Sequence, residues 1–370
     1  MHTSHPVSRQ SMSKPGGKSI RVMLIDDSAV VRGLISRWLD AEDGIEVVAK
    51  AIDGVQGVRL AGEHKPDVIV LDIEMPRMDG ITALPKLLEV TPKTKIVMAS
   101  TLTQRNAEIT IRALSQGASD YTPKPDSTGL SNADEFRKTL IEKIRALGAS
   151  PITRPAMKLG TSTLAPARVI KTAPPASFRK PAAIFIGSST GGPQALRTLI
   201  SDIGSKVNIP VFITQHMPKT FTAVLAEHLS KVARKPVVEG KDGMPVKPGG
   251  IYLAPGGYHM TLRKAGLSVV IGLDQKPPEN YCRPSVDPMF RSAAKVYGNR
   301  AMAIMLTGMG HDGRDGTKEM FDVGSRVLAQ DEASSVVWGM PGAVAQAGLA
   351  HQILPITKIG STVLRIVQGN

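Results

Sequence analysis

Cysteine is almost absent: Cys282 stands alone among 370 residues. That excludes an intramolecular disulfide and any multi-cysteine metal site, and it fits cytosolic redox conditions. Aromatic residues make up only 4% of the chain, so the cores have to be built mainly from aliphatic side chains. No apolar run approaches the roughly 18 to 20 residues of a membrane span. The N-terminus MHTSHPVSRQSMSKPGGKS also lacks the apolar segment of a secretory signal. A cytoplasmic protein without membrane insertion is expected. Acids are missing from residues 1–25 and again from Gly148 to Lys180, where Arg154, Lys158, Arg168, Lys171, Arg179 and Lys180 stand. Much of the formal net charge of +14 therefore belongs to a tail and a linker, and reads as solvated coil. The basic, aromatic-interleaved stripe of a single-strand binder is missing as well, so nucleic acid is not an expected partner.

What is present is alternation. From Arg21 short β-branched runs (VMLID, IEVVAKA, DVIVLD, KIVMAS, DYTPK) alternate with amphipathic segments, βα repeated about five times. Parallel strands need helical crossovers, so this predicts a doubly wound (βα)5 domain over residues 20–146, after a flexible tail at 1–19. Residues 147–180, rich in Pro, Ala and basic side chains and without apolar periodicity, read as a flexible linker. A second α/β set fills 181–370, mostly parallel, with a hairpin expected around Gly256 to Ser268.

In an open α/β sheet, functional groups collect at the carboxyl ends of the strands. Asp26 and Asp27 end the first strand, Asp72 the third and Ser100 the fourth, while Lys124 follows the fifth. Three converging carboxylates repel unless a divalent cation such as Mg²⁺ neutralises them. One of them, Asp72, can then attack phosphorus. Taken singly, each acid would read as a helix cap. Taken together, LIDDSAVVR, VIVLDIEMPRMDG, IVMAS and ASDYTPKP resemble a response-regulator receiver domain. The resemblance implies Asp72 as phosphoacceptor, Asp26 and Asp27 with it as Mg²⁺ ligands, Ser100 and Lys124 as phosphate-sensing groups, and Tyr121 as the aromatic switch. It also implies a cis Lys124–Pro125 peptide.

The second half opens with IGSSTGGPQ after the apolar run AAIF. No lysine completes a phosphate loop, and Ser188 and Ser189 stand where a dinucleotide fingerprint needs glycine. A serine hydroxyl on a tight turn remains, and a serine nucleophile needs a base and an orienting acid. Among the histidines of the second half, His216 follows the strand VFITQ, the expected strand-end position. Asp312 lies in the glycine-rich loop MLTGMGHDG, whose N–H groups, such as that of Met309, suit an oxyanion. His311 stays open as an alternative base. Cys282 reads as an ordinary half-buried side chain ahead of a thiol nucleophile, and Arg283 and Asp287 as structural partners slightly ahead of substrate contacts.

GSSTGGPQAL, ITQHMPKTFT and MLTGMGHDGRDG, with IYLAPGGYHM, YCRPSVDPMF and DEASSVVWGMPGAV, resemble the catalytic domain of chemotaxis protein-glutamate methylesterases. The resemblance implies Ser189 as nucleophile, His216 as base, Asp312 as acid, and Thr190 and Met309 beside the oxyanion. The implied activity is demethylation of glutamyl esters, and deamidation of glutamines, on methyl-accepting chemotaxis receptors, gated by a chemotaxis histidine kinase. His311 departs from the Asn or other polar residue frequent there. Two other readings compete: a phosphorylation-gated binding protein, which the basic excess favours slightly, and a constitutive esterase of small metabolites.

Overall fold

The computed structural model describes residues 19–101, 103–124, 130–148 and 179–369. All of the expected tail but Ser19, all but the ends of the expected linker, and Pro125 of the expected cis peptide lie outside them. The first domain runs β1 (Ile20–Ile25), α1 (Ala29–Asp40), β2 (Ile45–Ala51), α2 (Gly54–His64), β3 (Val68–Asp72), α3 (Gly80–Val90), β4 (Lys95–Ser100), α4 (Gln104–Ser115), β5 (Asp120–Pro123) and α5 (Leu130–Gly148). The sheet order is β2-β1-β3-β4-β5, all parallel, as the alternation predicts. Helix starts are capped by Ser28, Asp53, Asp79 and Thr103. The clustered acids Asp26, Asp27 and Asp72 are thus left out of capping. Helix α5 passes the expected boundary at 146 because Leu147 is still buried in the core and Gly148 packs against Ile20.

The second domain runs β6 (Ala183–Ser188), α6 (Gly192–Ile203), β7 (Val211–Gln215), α7 (Lys219–Ala233), β8 (Val237–Glu239), β9 (Ile251–Leu253), β10 (His259–Ala265), β11 (Ser268–Asp274), α8 (Val286–Tyr297), β12 (Ala301–Met305), α9 (Arg314–Asp322), β13 (Arg326–Gln330), α10 (Met340–Gln346), β14 (Gln352–Leu354) and α11 (Ile356–Gln368). Its parallel seven-stranded sheet has the order β14-β13-β12-β6-β7-β9-β8. From β6 the chain builds outward through β7 to β9, then returns to the other side of β6 as β12. That reversal makes a crevice at the carboxyl end of β6, where ligands bind in such sheets. The expected hairpin is present, its turn at Gly266 (φ +60) and Leu267 lying inside the expected stretch; β10 and β11 pair antiparallel from His259 to Asp274, so the second strand runs on beyond Ser268. Every residue of β6 is buried, as parallel strands covered on both faces require.

The two domains pack together through α4, which lies against α6 and α7. Tyr121 stacks on Phe221 at 4.7 Å between ring centroids, and Gln194 Nε2 donates to the carbonyls of Leu114 (2.5 Å) and Ala118 (3.1 Å). No helix among the described residues is long and apolar enough to cross a membrane.

Candidate active site and phosphoacceptor site

Three neighbouring strands deliver the predicted groups of the second domain to one edge. Ser189 follows β6, His216 follows β7, and the loop after β12 carries Met309 and Asp312. The turn after Ser189 is tight enough to need glycine twice. Gly191 has φ +74, and a side chain at Gly192 would strike the Gln215 carboxamide. That carboxamide, buried among the strand ends, accepts from Ser188 Oγ (2.8 Å) and donates to the carbonyls of Ser189 (3.0 Å) and His216 (3.2 Å). Gln215 thus locks the serine turn to the histidine strand, a role the sequence reading missed.

His216 Nε2 meets Asp312 Oδ2 at 2.7 Å. The other ring nitrogen, Nδ1, faces Cys282 Sγ at 3.3 Å, so Cys282 is not the ordinary side chain expected. His311 turns outward and is exposed. Asp312 is held by far more than the histidine. Its carboxylate accepts from Ser285 Oγ (2.7 Å), Val286 N (2.6 Å), Gly313 N (2.9 Å) and Asn280 Nδ2 (2.9 Å). Asn280 bridges to Asp287 at 2.9 Å, and Asp287 in turn accepts from Gly316 N. Arg283 ties its own loop by donating to the carbonyls of Gln275 and Lys276.

Gly308 backs directly on Ser189, and the N–H groups of Thr190 and Met309 carry no hydrogen bond among the described residues. Both are free donors beside the serine. The Thr190 hydroxyl points elsewhere, donating to Asp120 Oδ2 of the first domain at 2.7 Å.

Burial would raise the carboxyl pKa of Asp312, but the bonds to His216 and to main-chain N–H groups hold it well below the usual carboxylate range. Burial by itself would depress His216; the Cys282 sulfur and the Asp312 carboxylate outweigh it and lift the ring from 6.5 to about 10. Burial and the Asp312 charge push Asp287 up to about 6. Because the folded pKa of His216 exceeds its unfolded value, its stabilisation is complete below pH 6.5 and is lost as pH rises towards about 10. Chemical denaturation is therefore expected to show stability falling over that window by a few kcal/mol, a slope that His216→Gln flattens.

At the first domain's edge, ligand atoms of Asp26, Asp27 and Asp72 lie within 4.8 Å of one another. Lys124 Nζ is 2.7 Å from both Asp26 Oδ2 and Asp72 Oδ1. Burial pushes Asp72 up to about 6, with Lys124 opposing it. Three hard oxygen donors, one of them on the exposed Asp27, make a set that can hold a divalent cation with room for water. Ser100 Oγ turns to the Thr101 carbonyl at 3.2 Å, whereas Tyr121 is buried in the domain interface.

Residues 184–363 match the CheB methylesterase family, and residues 22–133 match the response regulator receiver domain. A protein-glutamate methylesterase/protein-glutamine glutaminase of Rhodopseudomonas palustris (strain BisB5) is 50% identical over 382 residues, covering 99% of this chain and 98% of its own length. The chain belongs to the CheB-type protein-glutamate methylesterases. Another relative of that name, from Azospirillum brasilense, is 49% identical and covers 93% of this chain and 92% of its own. The CheB methylesterase catalytic domain of Thermotoga maritima superposes with a TM-score of 0.50 at 38% identity, covering 50% of this chain and 99% of that one. Membership in the CheB family makes the chain a carboxylic-ester hydrolase with an attached receiver.

Proposed function

We propose that the chain removes methyl groups from glutamyl side-chain esters on the helices of methyl-accepting chemotaxis receptors, under control of its own phosphorylation. The observation that carries this is the buried His216–Asp312 pair beside Ser189, at the strand reversal of the sheet. Ser189 Oγ attacks the ester carbonyl while the neutral form of His216, which the Cys282 and Asp312 contacts of this docked state disfavour, takes its proton, and Asp312 stabilises the imidazolium that forms. The Thr190 and Met309 N–H groups receive the developing oxyanion. Methanol leaves with the proton from His216; water then repeats the sequence and releases the glutamate. A glutamine amide passes through the same tetrahedral intermediate and releases ammonia.

In the receiver, Asp72 accepts the phosphoryl group from a chemotaxis histidine kinase. Asp26, Asp27 and Asp72 would hold Mg²⁺, which neutralises charge on the transferring oxygens. Lys124 exchanges Asp26 for the phosphoryl group, and Ser100 gives up its bond to the Thr101 carbonyl to bond it. Tyr121 reports the change through its stack on Phe221, and α4 leaves α6 and α7. The docked receiver is the closed state of a two-state gate.

The test is methanol release from receptor membranes carrying labelled methyl esters. A small-molecule phosphodonor with Mg²⁺ is expected to raise the rate about tenfold, equivalent to about 1.4 kcal/mol of bias between closed and open states. Asp72→Asn should lose the stimulation, and a chain beginning at Pro181 should be fast without donor. A truncated chain no faster than the intact one would rule out gating by the docked receiver.

A further inference from the structure

Both ring nitrogens of His216 are engaged: Nε2 by Asp312, and Nδ1, the nitrogen left for Ser189, by Cys282 Sγ. Ser189 Oγ makes no hydrogen bond among the described residues. A base with no free nitrogen does not take the nucleophile's proton. Cys282 therefore occupies the one ring nitrogen that Asp312 leaves.

A short turn delivers the cysteine there. Glu279 and Cys282 exchange main-chain hydrogen bonds of 3.2 and 2.9 Å, and the residues between them, Asn280 and Tyr281, have φ of +51° and +62°. Two-residue turns with positive φ at both central positions favour Asn followed by Gly. Asn280 conforms, but Tyr281 carries a bulky side chain where glycine is the unstrained choice. Such strain persists where the surroundings over-determine it. Here they do so from three sides. Asn280 Nδ2 bonds Asp287 and Asp312, and Arg291 Nη2 pairs with Glu279 at 2.6 Å. The third hold comes from the other domain: Lys138 Nζ, on receiver helix α5, stands 4.4 Å from the centroid of the Tyr281 ring, which remains 91% exposed with the receiver in place, so this is a single solvent-facing cation–π contact. One four-residue turn thus touches the acid through Asn280, the base through Cys282 and the receiver through Tyr281.

We propose that this turn carries the receiver's control into the active site: with α5 docked, Lys138 on Tyr281 holds Cys282 as a cap on His216 Nδ1. Departure of α5 lifts the cap and frees the nitrogen for Ser189. This rests on the reading of His216 as the base for Ser189, and it adds control of the base to simple cover of the site. Cys282 acts here as a positioning residue, through the histidine.

The test uses the intact chain and methanol release from receptor membranes, with and without phosphodonor. Cys282→Ala is expected to raise the unphosphorylated rate about fivefold or more and so reduce the stimulation ratio; Cys282→Ser, which keeps a hydrogen-bonding group on the same stem, should restore the low rate. Lys138→Ala and Tyr281→Ala should repeat the rise while leaving the phosphorylated rate within about twofold, and Lys138→Ala should add little to Cys282→Ala. An unphosphorylated rate that Cys282→Ala leaves unchanged or lowers overturns the cap. Ser189→Ala, assayed alongside, separates the two failures. Release lost in Ser189→Ala but indifferent to Cys282 and Lys138 overturns the cap alone. Release that survives Ser189→Ala and vanishes in Cys282→Ala overturns the serine reading as well.

Discussion

Ser189→Ala is expected to reduce kcat for methyl-ester hydrolysis by about 10⁵-fold while leaving the fold intact, since loss of a nucleophile removes the whole covalent route. The structural part of the expectation follows from the packing. Gly308 backs on the Ser189 β-carbon, which alanine keeps, and the serine hydroxyl has no hydrogen bond whose loss would orphan a partner. Stability should therefore change by no more than about 0.5 kcal/mol. Parallel denaturation and methanol-release measurements check both halves. A variant that keeps more than about a tenth of the wild-type rate would remove Ser189 from the mechanism.

Asp312→Asn should differ in kind, costing both activity and stability. A carboxamide beside His216 Nε2 favours the wrong ring tautomer, for which a loss of about 10⁴-fold in kcat is the expected scale. The stability cost arises because the Asp312 carboxylate accepts from Ser285, Val286, Gly313 and Asn280 as well as facing His216. An amide nitrogen in place of one oxygen sets donor against donor in a buried site, about 2 to 3 kcal/mol of destabilisation. Asp312 titrates well below the ordinary range, so its stabilisation is present above the unfolded carboxyl pKa of 3.8 and is lost as pH falls through the folded value. The acid limb of the wild-type stability curve should accordingly be shallower in Asp312→Asn. An unchanged rate, or an unchanged acid limb, would contradict the role assigned to the carboxylate.

Both folds were legible because alternation and strand-end position are local signals. Ser189, His216 and Asp312 each follow an apolar run, so their convergence required only that the runs be neighbouring parallel strands, as β6, β7 and β12 are. What the sequence hid depends on contacts between distant segments. Gln215 looks like the last residue of a strand; its grip on the serine turn spans 26 residues. Cys282 reaches His216 across 66 residues, delivered by backbone angles at Asn280 and Tyr281 that the letters N and Y do not announce. The hairpin turn, by contrast, was legible because Gly266 is itself a local turn signal. Helix α5 runs past the expected domain boundary for a non-local reason, burial of Leu147 in the core.

The Thr190–Asp120 hydrogen bond joins the residue after the serine to the residue before Tyr121. Under the proposed gate, coupling through such a joint is reciprocal, because a linkage between two sites has one free energy whichever site is occupied first. A receptor helix seated at Ser189 must then favour the released receiver, and with it phosphorylation of Asp72. Substrate and phosphodonor become effectors of one another, and the esterase is most readily switched on where its substrate already is.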